Sequence, residues 1–429
     1  MRFYEAFIFL IFSACINAQN NFADPNVHEN TIRDPKIKTV QLYRQDWNLS
    51  YPVSRLNSGE KMVLHFDLLD DQPESYYYTF VHCDKDWKES GVFINDYLEG
   101  YEENPIENYE ASFNTTVHYY HYSLLFPNER ASLKISGNYI IKVYVPGEKD
   151  NPVLEQRFMI SEEAVKIGIN VHRPQMTQDN NTHQQIDFTV NHAGLPVNDP
   201  YRNVYAFVLQ NGRWDNAKKN LKPEFFGNNE LKYSSLSEKN IFPGGNEFRY
   251  FDIKSIRYLS EYVRNIEYAA PYYNVYLHPS ENREFKPYFY WKDFNGKYFI
   301  AFQEGKNPDT DADYVYVYFT LPAYQEVEGG KMYVSGALNN WQLNRNNEMV
   351  YNSRNRQYEC TMLLKQGWYN YEYAFLKNGS GTGLTGPFEG NHYETENDYL
   401  VLIYYRNPRE RYDRLIGTAV QNTLNRISD

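Results

Sequence analysis

Asp309, Asp311 and Asp313 alternate in the stretch DTDADY, the opening spacing of a loop whose carboxylates could surround a hard cation. A calcium loop of the EF-hand kind also needs glycine at its sixth position and glutamate at its twelfth, where Tyr314 and Thr320 stand. The stretch therefore reads as an acidic, solvated turn ahead of a strand. His118 and His121 lie three apart in HYYH. In this tyrosine- and threonine-rich context they fall on a strand, where that spacing sends them to opposite faces, so they cannot share a metal. They read as surface or network histidines. Hydrolysis of a glycosidic bond needs two carboxylates facing across a cleft. The chain has 55 acidic residues, so pairs arise by chance, and none sits in a recognisable catalytic motif. The sequence contains no G-x-S-x-G, H-E-x-x-H, phosphate loop or dinucleotide fingerprint. The expectation is a non-enzymatic protein with no catalytic residue, no metal ligand and no cofactor.

The elements that would position such groups are strands. Tyr and Phe, at 42 and 26 of 429 residues, favour pleated, half-buried surfaces. The length suits two or three domains of about 100–200 residues each. A formal net charge of −12, with the basic residues scattered, argues against a nucleic-acid partner. Runs such as KMVLHFDLL, YYYTFVHC, GNYIIKVYV and VLEQRFMIS are rich in β-formers and bounded by turn residues, the pattern of an immunoglobulin-like sandwich. In DYVYVYFTLP, Val315, Val317, Phe319 and Leu321 face one way and Tyr314, Tyr316 and Tyr318 the other. The segment IKSIRYLSEYVRNI spaces Ile253, Ile256, Leu259, Val263 and Ile266 as a helix would, but its β-branched and tyrosine content favours strand and turn. The predicted order is a signal peptide (1–18), a flexible lead-in (19–36), an N-terminal β-sandwich (37–161), a middle β domain (162–322), a C-terminal early-set-like sandwich (323–406) and a polar tail (407–429). The fold class is all-β, with immunoglobulin-like and early-set sandwiches in tandem.

The opening MRFYEAFIFLIFSACINAQ has one Arg, an apolar run and then small and polar residues, which reads as a secretory signal and is too short to span a membrane as a helix. Cys15 in FSAC offers lipidation as the minority alternative to soluble export. Cys83 and Cys360 read as small buried hydrophobes in different domains, so no disulfide is expected between them. Tyrosine-rich strands, Tyr316 with Tyr318 and Tyr369 with Tyr371 and Tyr373, would cover the second faces of sheets and suit a large protein interface.

Residues YVSGALNNWQ, GWYNYEYAFLKNG and GPFEG of the third region resemble the early-set sandwiches that precede amylase-type domains and form glycogen-binding modules. The resemblance implies that Trp341 could stack on a glucose ring, with Lys377 and Asn378 near the site. A second aromatic platform is expected after KNG, and SGTG stands there instead. Trp341 therefore reads as a residue that packs beside its turn.

Four further segments, EFRYFD (247–252), DFNGKYFIAF (293–302), DADYVYVYFTLP (311–322) and NPRERYDRLIG (407–417), resemble the plug protein family of the type 9 secretion system. The resemblance spans nearly the whole mature chain. It implies a periplasmic protein associated with the outer membrane, whose partners are a very large outer-membrane β-barrel translocon and its accessory subunits. Such a protein would seal the periplasmic mouth of the barrel while no substrate is in transit. The family supplies no active-site residues. A glycan-binding exported protein using Trp341 is the alternative.

Overall fold

The computed structural model describes residues 27–175, 178–234 and 239–425. The signal peptide, Cys15 and the first part of the lead-in lie outside the described residues. Among those described, no helix is long and apolar enough to cross a membrane.

Three β-sandwich cores are present. Strand Met62–Leu68 shows how the first is built: Met62, Leu64, Phe66 and Leu68 alternate into the core, leaving His65 and Asp67 on the other face. It pairs with Ile37–Arg44 and Tyr120–Phe126. The facing sheet holds Tyr76–Cys83, Gly137–Tyr144 and Leu154–Ser161. The second core lies between a sheet containing Lys166–His172 and His183–Asn191 and one in the order Lys218–Leu221, Val204–Gln210, Asp398–Tyr405, Arg414–Asn422. The third is wrapped by a nine-stranded sheet whose longest strand, Gly367–Lys377, pairs with Arg249–Asp252, Tyr298–Ile300 and Gly330–Ser335.

The domain boundaries drawn from sequence need correction. Tyr314–Pro322 pairs along its whole length with Gln357–Lys365, from Tyr314↔Lys365 to Pro322↔Gln357. The strands from Arg249 to Pro322 therefore belong with the third sandwich, not with a middle domain ending at 322. Asp398–Tyr405 instead completes the second sandwich by pairing with Val204–Gln210. The predicted tail contributes strand Arg414–Asn422 to the same sheet. Alternation along a strand sets its faces but not its partner, which is chosen by contacts far away in sequence. The lead-in also differs from expectation. Thr31–Ile32 pairs with Leu154–Ser161, and Arg157 donates Nε–H to His28 O at 2.7 Å, so the chain is tied down well before residue 36. The segment 253–266 is coil and turn until strand Val263–Ala269 begins, as its composition predicts.

The first two sandwiches are joined by apolar surface. Cys83, Ile140 and Met159 of the first meet Phe207, Leu402, Tyr404 and Leu415 of the second in a separate buried cluster. Each large apolar side chain buried in this way contributes about 1.5–3 kcal/mol. Cys83 and Cys360 are both free and buried, in different sandwiches.

Candidate functional site

Trp341 sits in a turn formed by GALNNW. Asn339 accepts from Gly336 N–H at 3.2 Å and donates to Val334 O at 2.8 Å, and Asn340 and Trp341 both take positive φ, 54° and 60°. The Arg213 guanidinium lies 4.5 Å over the indole, and Phe248 meets it edge-on at 5.7 Å. Gly296 approaches so closely that a Cβ there would stand 2.3 Å from the indole Cη2. Arg213 is fixed in turn by Glu372 (2.9 Å) and Asp215 (2.7 Å). Lys377 and Asn378 are exposed at the far end of the ladder. Gly330 pairs Lys377 and Ser335 pairs Glu372, so about 17 Å of strand separates them from the Trp341 turn. The three residues nominated for a glycan are thus not brought together. We expect Trp341→Ala to lower stability by about 2 kcal/mol, through lost packing and the Arg213 face. Chemical denaturation measures this. Heat from maltodextrin with wild type that the variant abolishes would reinstate a sugar platform.

The carboxylates of DTDADY hold the chain itself. Asp313 accepts from Thr116 N–H (2.8 Å), Thr116 Oγ1 (2.6 Å) and Val117 N–H (3.2 Å) of the first sandwich. Asp311 caps the amides of Lys306 and Asn307. His118 lies in the loop before strand Tyr120–Phe126, exposed, with Nδ1 3.0 Å from Asp70 O, whereas His121 lies on the strand and is buried, so the two are separated by loop and strand rather than by the two faces of one strand.

Three residues that sequence reading left unmarked, His65, Asp67 and Lys365, build a polar group with His121 and Tyr314. Asp67 is fully buried between the first and third sandwiches. Its Oδ2 accepts from Lys365 Nζ at 2.6 Å and Tyr314 OH at 2.7 Å, and its Oδ1 from His121 Nδ1 at 2.6 Å. Lys365 also donates to Asp309 O (2.7 Å) and lies 4.2 Å over the Tyr119 ring. Burial opposes the Asp67 charge, yet Lys365 and His121 hold its pKa below the ordinary carboxylate range. Burial pulls the Lys365 ammonium down, against the attraction of Asp67. Burial and then His121 pull His65 below the ordinary histidine range. A signal for two of the three exists: in KMVLHFDLL, His65 and Asp67 share the face opposite Met62, Leu64 and Phe66.

A second buried node sits in the third sandwich. Glu389, from GPFEG, accepts from Arg249 Nε (3.0 Å), Arg283 Nε (2.8 Å) and Tyr373 N–H (2.8 Å). Tyr369, Tyr371 and Tyr373 are buried in the core, Tyr369 stacked on Tyr298 and Phe251, Tyr371 edge-on to Phe251 and Tyr373 edge-on to Tyr371, which corrects their reading as a surface face. Exposed aromatics gather elsewhere. In EFKPYFYW, Tyr288 bonds Glu394 O and Trp291 donates to Phe248 O, anchoring the loop, while Phe285 and Phe289 stand 90% and 70% exposed.

Residues 37–162 match the model of the type 9 secretion system plug protein first domain. A solved structure, a hypothetical protein from Parabacteroides merdae, is 37% identical, with a TM-score of 0.89, 92% of this chain and 100% of that one covered. This chain belongs to the type 9 secretion system plug family. No curated protein matches it. Three of the four segments that resemble the plug family, 293–302, 311–322 and 407–417, contribute contacts between modules. Lys297 donates to Leu49 O at 2.7 Å, and Tyr314 bonds Asp67 while its hydroxyl lies 2.6 Å from Thr39. Asp413 accepts from Lys85 N–H at 3.0 Å, and Arg414 clamps Glu162. The family first domain is thus bound to the rest of the chain through polar pairs at every seam.

Proposed function

We propose that this chain is a non-enzymatic periplasmic plug. It binds the periplasmic mouth of the large outer-membrane β-barrel translocon of the type 9 secretion system and seals it while no substrate is present. The observation that carries this reading is the use of the family-like segments. In three of them Lys297, Tyr314, Asp413 and Arg414 contact another sandwich, which supports a stiff block, and stiffness is what a stopper needs. The strongly held carboxylates, Asp67, Asp313 and Glu389, are saturated by internal donors, which supports a structural rather than a catalytic role for them. The chain is exported by its N-terminal signal.

A plug must bind and release, and a surface of a few exposed aromatics in a polar setting suits that better than a broad apolar face. Phe285 and Phe289, on their anchored loop, fit this role. Two measurements test the reading. Deleting the gene is expected to raise small-molecule leakage across the outer membrane, and the tagged protein is expected to co-purify with a giant barrel. The double variant Phe285→Ala/Phe289→Ala is expected to keep its melting temperature and bind the barrel about 10- to 30-fold more weakly. Unchanged permeability together with no barrel in the pull-down would sink the proposal.

A further inference from the structure

The seam that joins the first sandwich to the third contains three donor atoms from two modules. His65 lies on strand Met62–Leu68 and His121 on the neighbouring Tyr120–Phe126, both on the face turned away from the first core. Asp309 comes from the short helix Pro308–Asp311 of the third module. His65 Nδ1 and His121 Nε2 are 2.9 Å apart, and His121 Nε2 is 3.7 Å from Asp309 Oδ2. All three ligand atoms lie within 4.8 Å of one another. We propose that they form a site for a divalent transition-metal ion of the zinc class, which would staple the two modules together.

The geometry supports this in two independent ways. In a tetrahedral zinc site with bonds of about 2.0–2.1 Å, neighbouring donors stand about 3.3 Å apart. The two short separations bracket that value, each within half an ångström, so small side-chain adjustments suffice. The second support is the group behind His121. Its Nδ1 faces the buried Asp67 Oδ1 at 2.6 Å, and Asp67 is itself held by Lys365 and Tyr314. A carboxylate behind a histidine fixes the ring and its tautomer and raises its basicity as a ligand. With Nδ1–H directed at Asp67, the Nε2 lone pair of His121 points at the site, where it accepts from His65 Nδ1–H. Metal binding replaces that shared proton. His65 keeps a proton by moving it to Nε2, leaving Nδ1 to ligate, and no net proton is released. Two imidazoles and a carboxylate favour zinc-like ions over calcium or magnesium, which take oxygen donors. Asp309 is half-exposed, which leaves a path for the ion and a fourth position for water.

The experiment uses the untagged mature chain, stripped with chelator and titrated with Zn²⁺ by calorimetry and with Co²⁺ by absorption. We expect one ion per chain, tetrahedral Co²⁺ bands, and a melting temperature that rises with Zn²⁺ concentration. His65→Ala and Asp309→Asn each remove one ligand. They are expected to weaken Zn²⁺ binding by at least about 10-fold and to flatten the rise of melting temperature with Zn²⁺ concentration, whatever their metal-free melting temperatures. Absence of a saturable zinc signal in the wild type overturns the proposal, as does undiminished binding in both variants.

Discussion

Lys365→Met is expected to lower the stability of the protein by about 3–5 kcal/mol, the cost of breaking a buried ion pair from one side. Lys365 and Asp67 are 1% and 0% exposed, and their 2.6 Å contact is the only ionic partner of Asp67 besides His121 among the described residues. Removing the ammonium leaves a carboxylate in a site from which water is excluded, served by Tyr314 and His121 alone. It also removes a donor from Asp309 O. The charge left behind, rather than the loss of attraction, dominates the cost. That distinction is testable, because Asp67→Asn in the same chain removes the stranded charge. The double variant should then be more stable than the sum of the two single changes predicts, with a coupling of about 0.5–3 kcal/mol. Denaturant titration followed by tryptophan fluorescence measures all four corners of the cycle. A Lys365→Met chain within about 1 kcal/mol of wild type would show that the seam is wet and its ion pair of the weak surface kind.

The position of Lys365 illustrates what was and was not legible in the sequence. Strand character was readable from alternation: Val315, Val317, Phe319 and Leu321 are buried, and Tyr316 and Tyr318 lie on the other side. Short-range spacing was less secure: His118 falls in the loop ahead of strand Tyr120–Phe126, and only His121 is on it. Lys365 ends the run TMLL as a terminal polar residue would, and nothing local says that another module covers it. Its partners, Asp67 and Asp309, are reached only through the third dimension. The same limit explains the boundaries. Asp398–Tyr405 looks like the last strand of the sandwich that precedes it in sequence, but its apolar alternation fits Val204–Gln210 equally well, and the fold uses it there. Trp341 shows the converse case. The segment around it marked a turn correctly, but the ring's neighbours, Arg213 and Phe248, come from parts of the chain that no local motif connects.

Two buried glutamates in the third module should respond to neutralisation in opposite directions. Glu389→Gln is expected to cost about 3–5 kcal/mol at neutral pH, since Arg249 and Arg283 would face each other with no counter-charge. Burial works against this carboxylate, but the two guanidinium groups bring its pKa below the ordinary 4.5. Its contribution is therefore present above pH 4.5 and lost as pH falls through the folded value. Glu247 is the reverse. Burial raises it to about 7, although Tyr288 OH and the Glu396 amide donate to Oε1. Its Oε2 finds no donor among the described residues, and the charge of Glu396 adds to the penalty. Arg283 relieves it only in part: its charge lowers the Glu247 pKa, but its Nη2 donates to the backbone oxygen of Glu247 and its Nε is committed to Glu389. The folded chain thus holds a proton that the unfolded chain has lost between pH 4.5 and about 7, so stability from this group falls across that window and stays low above it. The gap between those values corresponds to roughly 3 kcal/mol, from which the amide left unpaired in Glu247→Gln subtracts about 1 kcal/mol. At pH 8 Glu247→Gln should therefore be about 2 kcal/mol more stable than wild type, with the advantage vanishing at about pH 5 and turning into a small deficit below it. Denaturation midpoints for both variants across pH 4–8 decide the matter, and a Glu247→Gln chain that is less stable than wild type at pH 8 would mean that Glu247 is ionised and solvated in the folded protein.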